Sequence, residues 1–119
     1  MLRVAFIGAG RIADMHYEGY RNNPKARLSA VCDTDPKLLQ QRASQWAVEK
    51  TYDDYRRLLN DPEIDAIYVA TPPINHLDYT QRALAAGKHV YVEKPMVRNG
   101  AEARQLMEAA DTSQQKVCV

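Results

Sequence analysis

Residues 8–13 of the chain read Gly-Ala-Gly-Arg-Ile-Ala, and the prediction of the fold starts from them. They follow the apolar, β-branched run Leu2–Ile7, which predicts a strand, and they open a helical pattern that continues to about Arg21. Gly8 allows a tight turn, and Gly10, which has no side chain, lets a ligand approach the backbone closely. These residues therefore predict a strand, a tight turn and a helix within a parallel α/β sheet.

Short apolar runs alternate with helical patterns along the rest of the chain. Further strands are predicted at Leu28–Cys32, Lys50–Tyr52, Ala66–Ala70, His89–Val92 and Lys116–Val119. The helices between them are predicted to begin at polar cap residues, namely Asp35, Asp53, Asn75 and Asn99. This alternation predicts a doubly wound α/β fold, with helices on both faces of a parallel sheet and the strand order 3-2-1-4-5-6.

The length and the charge of the chain limit the classes of protein to consider. Its 119 residues predict one domain, residues 1–119, and 16 basic against 15 acidic residues give a net charge of +1. That balance offers no electrostatic argument for nucleic acid or an anionic membrane as a partner. No apolar run reaches the ~20 residues of a membrane span. Because the chain starts directly with a strand rather than a signal peptide, we expect a cytoplasmic protein.

The two cysteines, Cys32 and Cys118, each stand inside an apolar run that is predicted to be a strand. Their spacing matches neither a metal site nor a redox motif. We therefore expect two buried, reduced thiols and no metal site.

Asp33 is the acid that gives the glycine-rich turn a predicted function. It ends the second predicted strand and lies twenty residues after Ala13, where dinucleotide-binding sites have the carboxylate that binds the adenosine ribose. With that acid, the turn predicts a dinucleotide site in which the backbone N–H groups of Arg11 and Ile12 bind the pyrophosphate. The alternative is that Asp33 is only a loop acid or the cap of the following helix.

The residues around Asp33 also bear on the type of dinucleotide. A carboxylate repels a 2′-phosphate, no arginine stands at position 34 or 35, and Lys37 is the one nearby cation along the sequence. The sequence therefore favours NAD over NADP as the cofactor.

Two further loops follow the fourth and fifth predicted strands, where ligands bind in a doubly wound sheet. In the first loop, residues 71–76 read Thr-Pro-Pro-Ile-Asn-His, and the alternatives to a binding role are a helix cap for Asn75 and a surface position for His76. In the second loop, residues 93–95 read Glu-Lys-Pro. Lys94 can reach a substrate oxygen there and stabilise or protonate a developing alkoxide. The alternative is a solvated ion pair with the preceding glutamate.

Taken together, these stretches resemble the N-terminal domain of the Gfo/Idh/MocA dehydrogenases over essentially the whole chain. The matching stretches are the glycine turn with His16, Val31–Asp33, Ala70–Pro72 with Asn75 and His76, and Gly87–Val90 followed by Glu93–Pro95. The resemblance implies that Lys94 faces the substrate and the nicotinamide. The cofactor-lining residues that it implies are Thr71, Pro72, His76 and Glu93. The implied activity is NAD(P)-dependent oxidation or reduction of a hydroxyl or carbonyl group, as on a sugar or polyol.

Members of that family continue into a second α/β domain, which holds most of the substrate pocket, an acid/base residue and the oligomer interface. We expect this chain, which stops at Val119, to lack that domain and to bind the cofactor without turnover. Uncovered apolar edges further predict a homo-oligomer. One alternative is a stand-alone module that senses NAD(H), which would have no need of Lys94. Another is a structural α/β domain without a ligand, which the glycine turn and Asp33 argue against.

Overall fold

The computed structural model describes residues 1–119, which form one sheet of six parallel strands with helices on both faces. The strands are β1 (Leu2–Ile7), β2 (Ala26–Cys32), β3 (Lys50–Tyr52), β4 (Ala66–Val69), β5 (His89–Val92) and β6 (Val117–Cys118). The helices are α1 (Arg11–Tyr17), α2 (Pro36–Gln45), α3 (Tyr55–Leu59), α4 (His76–Ala85) and α5 (Gly100–Thr112). None of these helices has the length and the hydropathy that crossing a membrane requires. The strand order is β3-β2-β1-β4-β5-β6, so the predicted doubly wound fold is confirmed.

The central strands end level with one another at the carboxyl edge of the sheet. Ile7, the last residue of β1, pairs with Cys32 on β2 and with Val69 on β4, and Val69 also pairs with Val92 on β5. Because the strands are parallel and end together, the loops that follow them meet at the same edge. That edge carries the residues for which the sequence predicts a ligand.

The helices bury both faces of the sheet, which therefore has two apolar cores. Along β4, Ile67 and Val69 join one core and Tyr68 joins the other, because successive side chains of a strand point to opposite faces. In the second core, the ring of Phe6 packs edge-on against Trp46 and Tyr68, at centroid distances of 5.6 and 4.9 Å. Burial on both faces of the sheet accounts for the continuous apolar run of β4.

Two of the predicted helix caps are confirmed. Asp35 accepts hydrogen bonds from the N–H groups of Lys37 and Leu38, at 3.0 and 3.3 Å. Asn99 accepts a hydrogen bond from the N–H group of Glu102, at 2.9 Å. These bonds satisfy donors that the first turns of α2 and α5 leave without intrahelical partners.

The other two predicted caps are wrong. Asp54, rather than Asp53, caps α3 by accepting a hydrogen bond from the N–H group of Arg56 at 2.9 Å. The error arises because sequence patterns locate a helix end only to within a residue or two. Asn75 precedes α4, but its side chain makes no cap hydrogen bond. Its backbone is already helical (φ −97°, ψ −10°) after the short 3-10 turn Pro73–Asn75, whereas a capping residue is extended.

Two further predictions are wrong. The first helix ends at Tyr17 instead of continuing to about Arg21, because the chain tightens into turns such as the one closed by the 3.0 Å bond from Gly19 N–H to the His16 carbonyl. Cys118 is exposed, since the two-residue strand β6 lies at the edge of the sheet and nothing packs over this side chain. The prediction of a buried thiol is confirmed for Cys32.

Candidate functional site

A cleft of about 600 Å³ opens at the carboxyl edge of the sheet, over the ends of β1, β2 and β4. Of the residues that the sequence assigns to a ligand, the cleft brings together Gly8, Gly10, Asp33, Thr71 and Pro72. The remaining ones do not line it, namely Arg11, Ile12, His76, Glu93 and Lys94. Four lining residues come from the loop between β3 and α3 and from the first turn of α3, and were not predicted to line the cleft, namely Asp53, Asp54, Tyr55 and Arg56.

The two glycines of the turn have different structural roles. Gly8 has φ +100°, and a Cβ atom placed on it would lie 2.6 Å from the carbonyl oxygen of Ala70, so β1 and the loop after β4 touch there. A Cβ atom on Gly10 would meet nothing within 4 Å, so the cleft is open at this residue. The first backbone bond of α1 is donated by Asp14 to Gly10, at 3.1 Å. The N–H groups of Arg11 and Ile12 precede that bond and remain free for an anion, so the turn fits a dinucleotide pyrophosphate.

Asp33 connects the glycine turn to the exit from β2. Its carboxylate accepts a hydrogen bond from the Ala9 N–H group at 2.9 Å and another from the Asp35 N–H group at 2.9 Å. Asp33 is therefore a loop acid that stabilises the turn. Each of its oxygens can accept a second hydrogen bond, so this role leaves capacity for the hydroxyls of a ribose.

Carboxylates dominate the charge at the β2 and β3 side of the cleft. Burial, and after it the charges of Asp33, Asp54 and Asp53, raise the pKa of the Cys32 thiol to about 12. The thiol is therefore protonated at neutral pH and is a poor nucleophile. The carboxylates of Asp33, Asp53 and Asp54, which all line the cleft, are negative charges that a ligand would meet on this side.

Arg56 is a cation of the cleft that reasoning along the sequence missed. Its Nε donates to both carboxylate oxygens of Asp54, at 3.0 and 3.2 Å, and its Nη2 donates to Oδ2 at 2.9 Å. The sequence placed only Lys37 near Asp33. The one local signal was that Arg56 stands two residues after Asp54, in the segment that follows β3. That signal does not show that β3 lies beside β2, which is what brings Arg56 to the cleft.

His76 joins the loop after β4 to the loop after β5. The side chain is 1% exposed, so the alternative of a surface position is wrong. Its Nδ1 lies 2.7 Å from the carbonyl oxygen of Pro95 and its Nε2 lies 2.6 Å from that of Thr71. Carbonyls only accept, so a neutral imidazole, which has one N–H group, can donate to only one of the two, while its other nitrogen lies against the second carbonyl. Both ring nitrogens therefore face backbone carbonyls, and His76 does not line the cleft. The hydroxyl of Thr71 is buried and has no hydrogen-bond partner.

Glu93 is held by two aromatic neighbours and makes no ion pair with Lys94. The hydroxyl of Tyr68 donates to Glu93 Oε2 at 2.8 Å, and His16 Nε2 lies 3.4 Å from the same oxygen. Burial, and then the Glu93 carboxylate, raise the pKa of Tyr68, which stays a donor. Lys94 is exposed and follows directly, at a cis peptide bond to Pro95. The alternative of a Glu93–Lys94 ion pair is therefore wrong.

Comparison with known proteins identifies the family. The family model of the Gfo/Idh/MocA proteins, described as "Oxidoreductase family, NAD-binding Rossmann fold", matches residues 2–119. The chain belongs to the Gfo/Idh/MocA oxidoreductase family. The resemblance inferred from the glycine turn, Asp33 and the Glu-Lys-Pro loop is thereby confirmed, and so is the NAD(P)-binding Rossmann fold.

Relatives of this Gfo/Idh/MocA chain include dehydrogenases and a reductase. It is 33% identical to the myo-inositol 2-dehydrogenase of Thermotoga maritima over 107 residues, which are 90% of this chain and 32% of that protein. The WlbA dehydrogenase of Chromobacterium violaceum, solved with NADH and UDP-GlcNAcA, superimposes with a TM-score of 0.92 at 27% identity, covering 98% of this chain and 34% of that one. A 3-ketoreductase from Actinomadura kijaniata, solved with NADP and TDP-benzene, superimposes with a TM-score of 0.88 at 28% identity, covering 96% of this chain and 36% of that one. The Gfo/Idh/MocA chain thus spans about a third of the length of these proteins.

Proposed function

We propose that the chain binds a nicotinamide dinucleotide in the cleft at the carboxyl edge and serves as the cofactor-binding domain of a dehydrogenase. One arrangement supports this most strongly. The glycine turn is open at Gly10, its helix presents free N–H groups, and Asp33 lies across the same cleft. A dinucleotide needs both a pyrophosphate site and a ribose acceptor, and the cleft offers both.

Each part of the cofactor has a proposed partner. The N–H groups of Arg11 and Ile12 bind the pyrophosphate beside Gly10, and the free acceptor positions of Asp33 bind the ribose hydroxyls. At the other end, Thr71 and Pro72, which line the cleft, are the proposed neighbours of the nicotinamide half. The bound cofactor supplies the hydride transfer, and the chain positions it. His76 contributes by packing between the Thr71 and Pro95 carbonyls, each of which lies at hydrogen-bond distance from one of its ring nitrogens.

Lys94 is proposed to be the catalytic residue of this chain. Its ammonium is exposed and makes no ion pair, so it is free to stabilise or protonate an alkoxide that develops on the substrate. The residues on both sides of it are anchored. Glu93 is held by Tyr68 and His16, and the carbonyl of Pro95 is held by His76. Glu93, which does not line the cleft, is thus proposed to act by fixing the strand exit from which Lys94 projects.

We propose NAD rather than NADP as the preferred cofactor. Three carboxylates line the adenosine side of the cleft, those of Asp33, Asp53 and Asp54, and a 2′-phosphate would add charge of the same sign. Arg56, the one guanidinium that lines the cleft, is neutralised by Asp54. The balance of charge therefore favours a free 2′-hydroxyl.

The proposed substrate is a hydroxyl or carbonyl group on a sugar or polyol. Support comes from relatives named as acting on myo-inositol or solved with UDP-GlcNAcA. Those proteins are about three times as long as the matched region, and we propose that turnover requires such additional sequence, so that residues 1–119 bind cofactor without reacting.

Two open sheet edges, β3 and β6, support a homo-oligomer, which sedimentation at increasing concentration tests. We place the protein in the cytoplasm.

Calorimetric titration of the folded chain with NADH tests the proposal, with Gly10→Ala and Gly100→Ala as a matched pair. A Cβ atom at either position meets nothing within 4 Å, so both variants should fold, but only Gly10 lines the cleft. We expect Gly10→Ala to weaken NADH binding at least about tenfold, because the pyrophosphate packs against that backbone, and Gly100→Ala to bind like the parent. A folded parent chain that does not bind NADH, or a Gly10→Ala variant that binds it equally well, would refute the proposal.

A further inference from the structure

We propose that the ion pair between Asp54 and Arg56 sets the preference of the cleft between NAD and NADP. In this inference, which rests on the proposed function and deepens it, Asp54 holds and neutralises the guanidinium that would otherwise bind a 2′-phosphate. Asp54 is thus a specificity-determining residue on a different loop from Asp33.

The sheet brings the two loops together. β2 and β3 pair in register, with Cys32 opposite Tyr52, and the N–H group of Asp33 donates to the Tyr52 carbonyl at 3.2 Å. The loops that follow these strands therefore leave the sheet side by side. As a result, Asp54 and Arg56 line the same cleft as Asp33, the proposed ribose acceptor.

The cap of α3 fixes the carboxylate in place for the arginine. Asp54 Oδ1 accepts the Arg56 N–H group at 2.9 Å, which orients the carboxylate, and the guanidinium then binds it through Nε and Nη2 at 2.9 to 3.2 Å. These bonds, the side-chain one first, lower the pKa of Asp54, and the same pairing raises the pKa of Arg56. The fork of donors that suits a phosphate is thereby occupied by a carboxylate two residues away.

The charge count of the lining residues gives the direction of the preference. Three carboxylates and one guanidinium line the adenosine side, so a 2′-phosphate meets net negative charge. Arg57, which lies 3.6 Å from Asp53, does not line the cleft. Removing the charge of Asp54 would lower the negative charge and free the donors of Arg56 at the same time. Both changes favour NADPH over NADH.

The substitution Asp54→Asn isolates this effect. Asparagine is as good a helix cap as aspartate, so α3 should keep its N-terminus while the ion pair is lost. We expect the ratio of the NADPH to the NADH dissociation constant, measured by titration of the folded chain, to fall roughly three- to tenfold. The change should shrink as salt is raised, because the cleft is open to solvent. NADH affinity should stay within about twofold, since its ribose has no charge at this position.

Two further variants assign the effect to Arg56. The double variant Asp54→Asn with Arg56→Gln should return the ratio close to that of the parent, because the freed cation is gone. Asp78→Asn breaks an equivalent exposed pair, in which Arg82 Nε donates to Asp78 at 2.9 Å outside the cleft, and should leave the ratio unchanged. Circular dichroism of each variant confirms that it is folded.

The outcomes separate this inference from the proposed function. A folded parent chain that does not bind NADH overturns both. If the parent binds NADH but Asp54→Asn does not change the ratio, the inference is wrong and the proposed function stands. A ratio that falls equally in Asp54→Asn and in the double variant also overturns the inference, because Arg56 would then have no part in it.

Discussion

At the scale of single residues, Gly8 and Gly10 show that one motif combines two physical requirements. Gly8 is required by the fold, since its left-handed backbone and its contact with the Ala70 carbonyl leave no room for a Cβ atom. Gly10 has space around it and φ −73°, so the fold alone does not require glycine there. The requirement for glycine at position 10 therefore comes from the proposed ligand, which packs against this backbone.

The substitution Gly8→Ala should lower the free energy of unfolding by about 2–4 kcal/mol, from the left-handed conformation together with the clash with Ala70. Gly10→Ala should cost less than about 1 kcal/mol, the difference between glycine and alanine at a helix cap. Urea unfolding of both variants measures the contrast. Equal losses at the two positions would contradict this division of roles.

At the scale of elements, the site depends on how the loops after β4 and β5 are joined. His76, at the start of α4, reaches across to the Pro95 carbonyl and back to the Thr71 carbonyl. The buried ring thus fixes the distance between the residue that faces the proposed cofactor and the segment that carries Lys94. A pair of parallel strands supplies no such link by itself, because its hydrogen bonds end with the ladder.

Replacement of His76 by alanine should lower the free energy of unfolding by about 2–4 kcal/mol, since it creates a cavity and removes the buried ring N–H donor from the carbonyl that it bonds. His89→Ala is the control. His89 is exposed and accepts a single bond, from the Lys116 N–H group at 3.0 Å, so its loss should cost about 0.5–1.5 kcal/mol. Chemical denaturation compares the two variants, and a cost at His76 no larger than at His89 would argue against the buried link.

At the scale of the whole molecule, the carboxyl edge of the sheet, where the strands end, and the amino edge, where they begin, have different functions. The carboxyl edge holds the cleft, and the amino edge is joined by charged groups around the loop between α3 and β4. There Arg3 donates to Asp65 at 2.8 Å, Lys50 donates to the carboxylate of Asp61 at 2.9 Å, and Lys88 donates to the carbonyl of Asp61 at 2.7 Å. These contacts tie the starts of β1, β3 and β5 to one loop, away from the proposed ligand.

The amino edge predicts a loss of stability in acid. Burial raises the pKa of Asp61, but hydrogen bonds from the Glu63 N–H group, Lys50 and Tyr52 outweigh burial and hold it at about 2, against an ordinary 3.8. The hydrogen bond from the Arg3 guanidinium likewise holds the pKa of Asp65 well below its usual range. A carboxylate whose pKa is lowered by folding stabilises the protein above its ordinary pKa, and that stability disappears as the pH falls through the folded value.

We expect Asp61 to contribute about 2 kcal/mol to the decline in unfolding free energy between about pH 5 and pH 2. Asp61→Asn should flatten the decline by that amount. Asp111→Asn, at an exposed position on α5, should leave the slope unchanged. Urea unfolding at several pH values distinguishes them, and parallel curves for the parent and Asp61→Asn would rule out this contribution.

Much of the fold could be predicted because its signals are local. The β3 strand was predicted at its observed bounds from three residues of pattern, and the glycine turn was recognised by its place between a strand and a helix. The errors occurred where the outcome depends on tertiary surroundings or on an exact helix boundary, which a local pattern does not specify. Helix phase did not distinguish Asp53 from Asp54 as the cap of α3, and an apolar run did not show that Cys118 lies at an edge.

The amino-acid pattern alone was sufficient for the alternation of strands and helices, the glycine turn and the acid at the end of β2, since each depends on residues close together in the chain. The strand order was then predicted from the right-handed crossovers that such an alternation adopts. The folded chain was needed to show which side chains meet. Arg56 joins Asp33 in one cleft because β3 pairs with β2, and His76 reaches Pro95, 19 residues away, because β4 pairs with β5. Parallel pairing joins segments that a whole helix separates, and no short-range pattern records which residues then face each other.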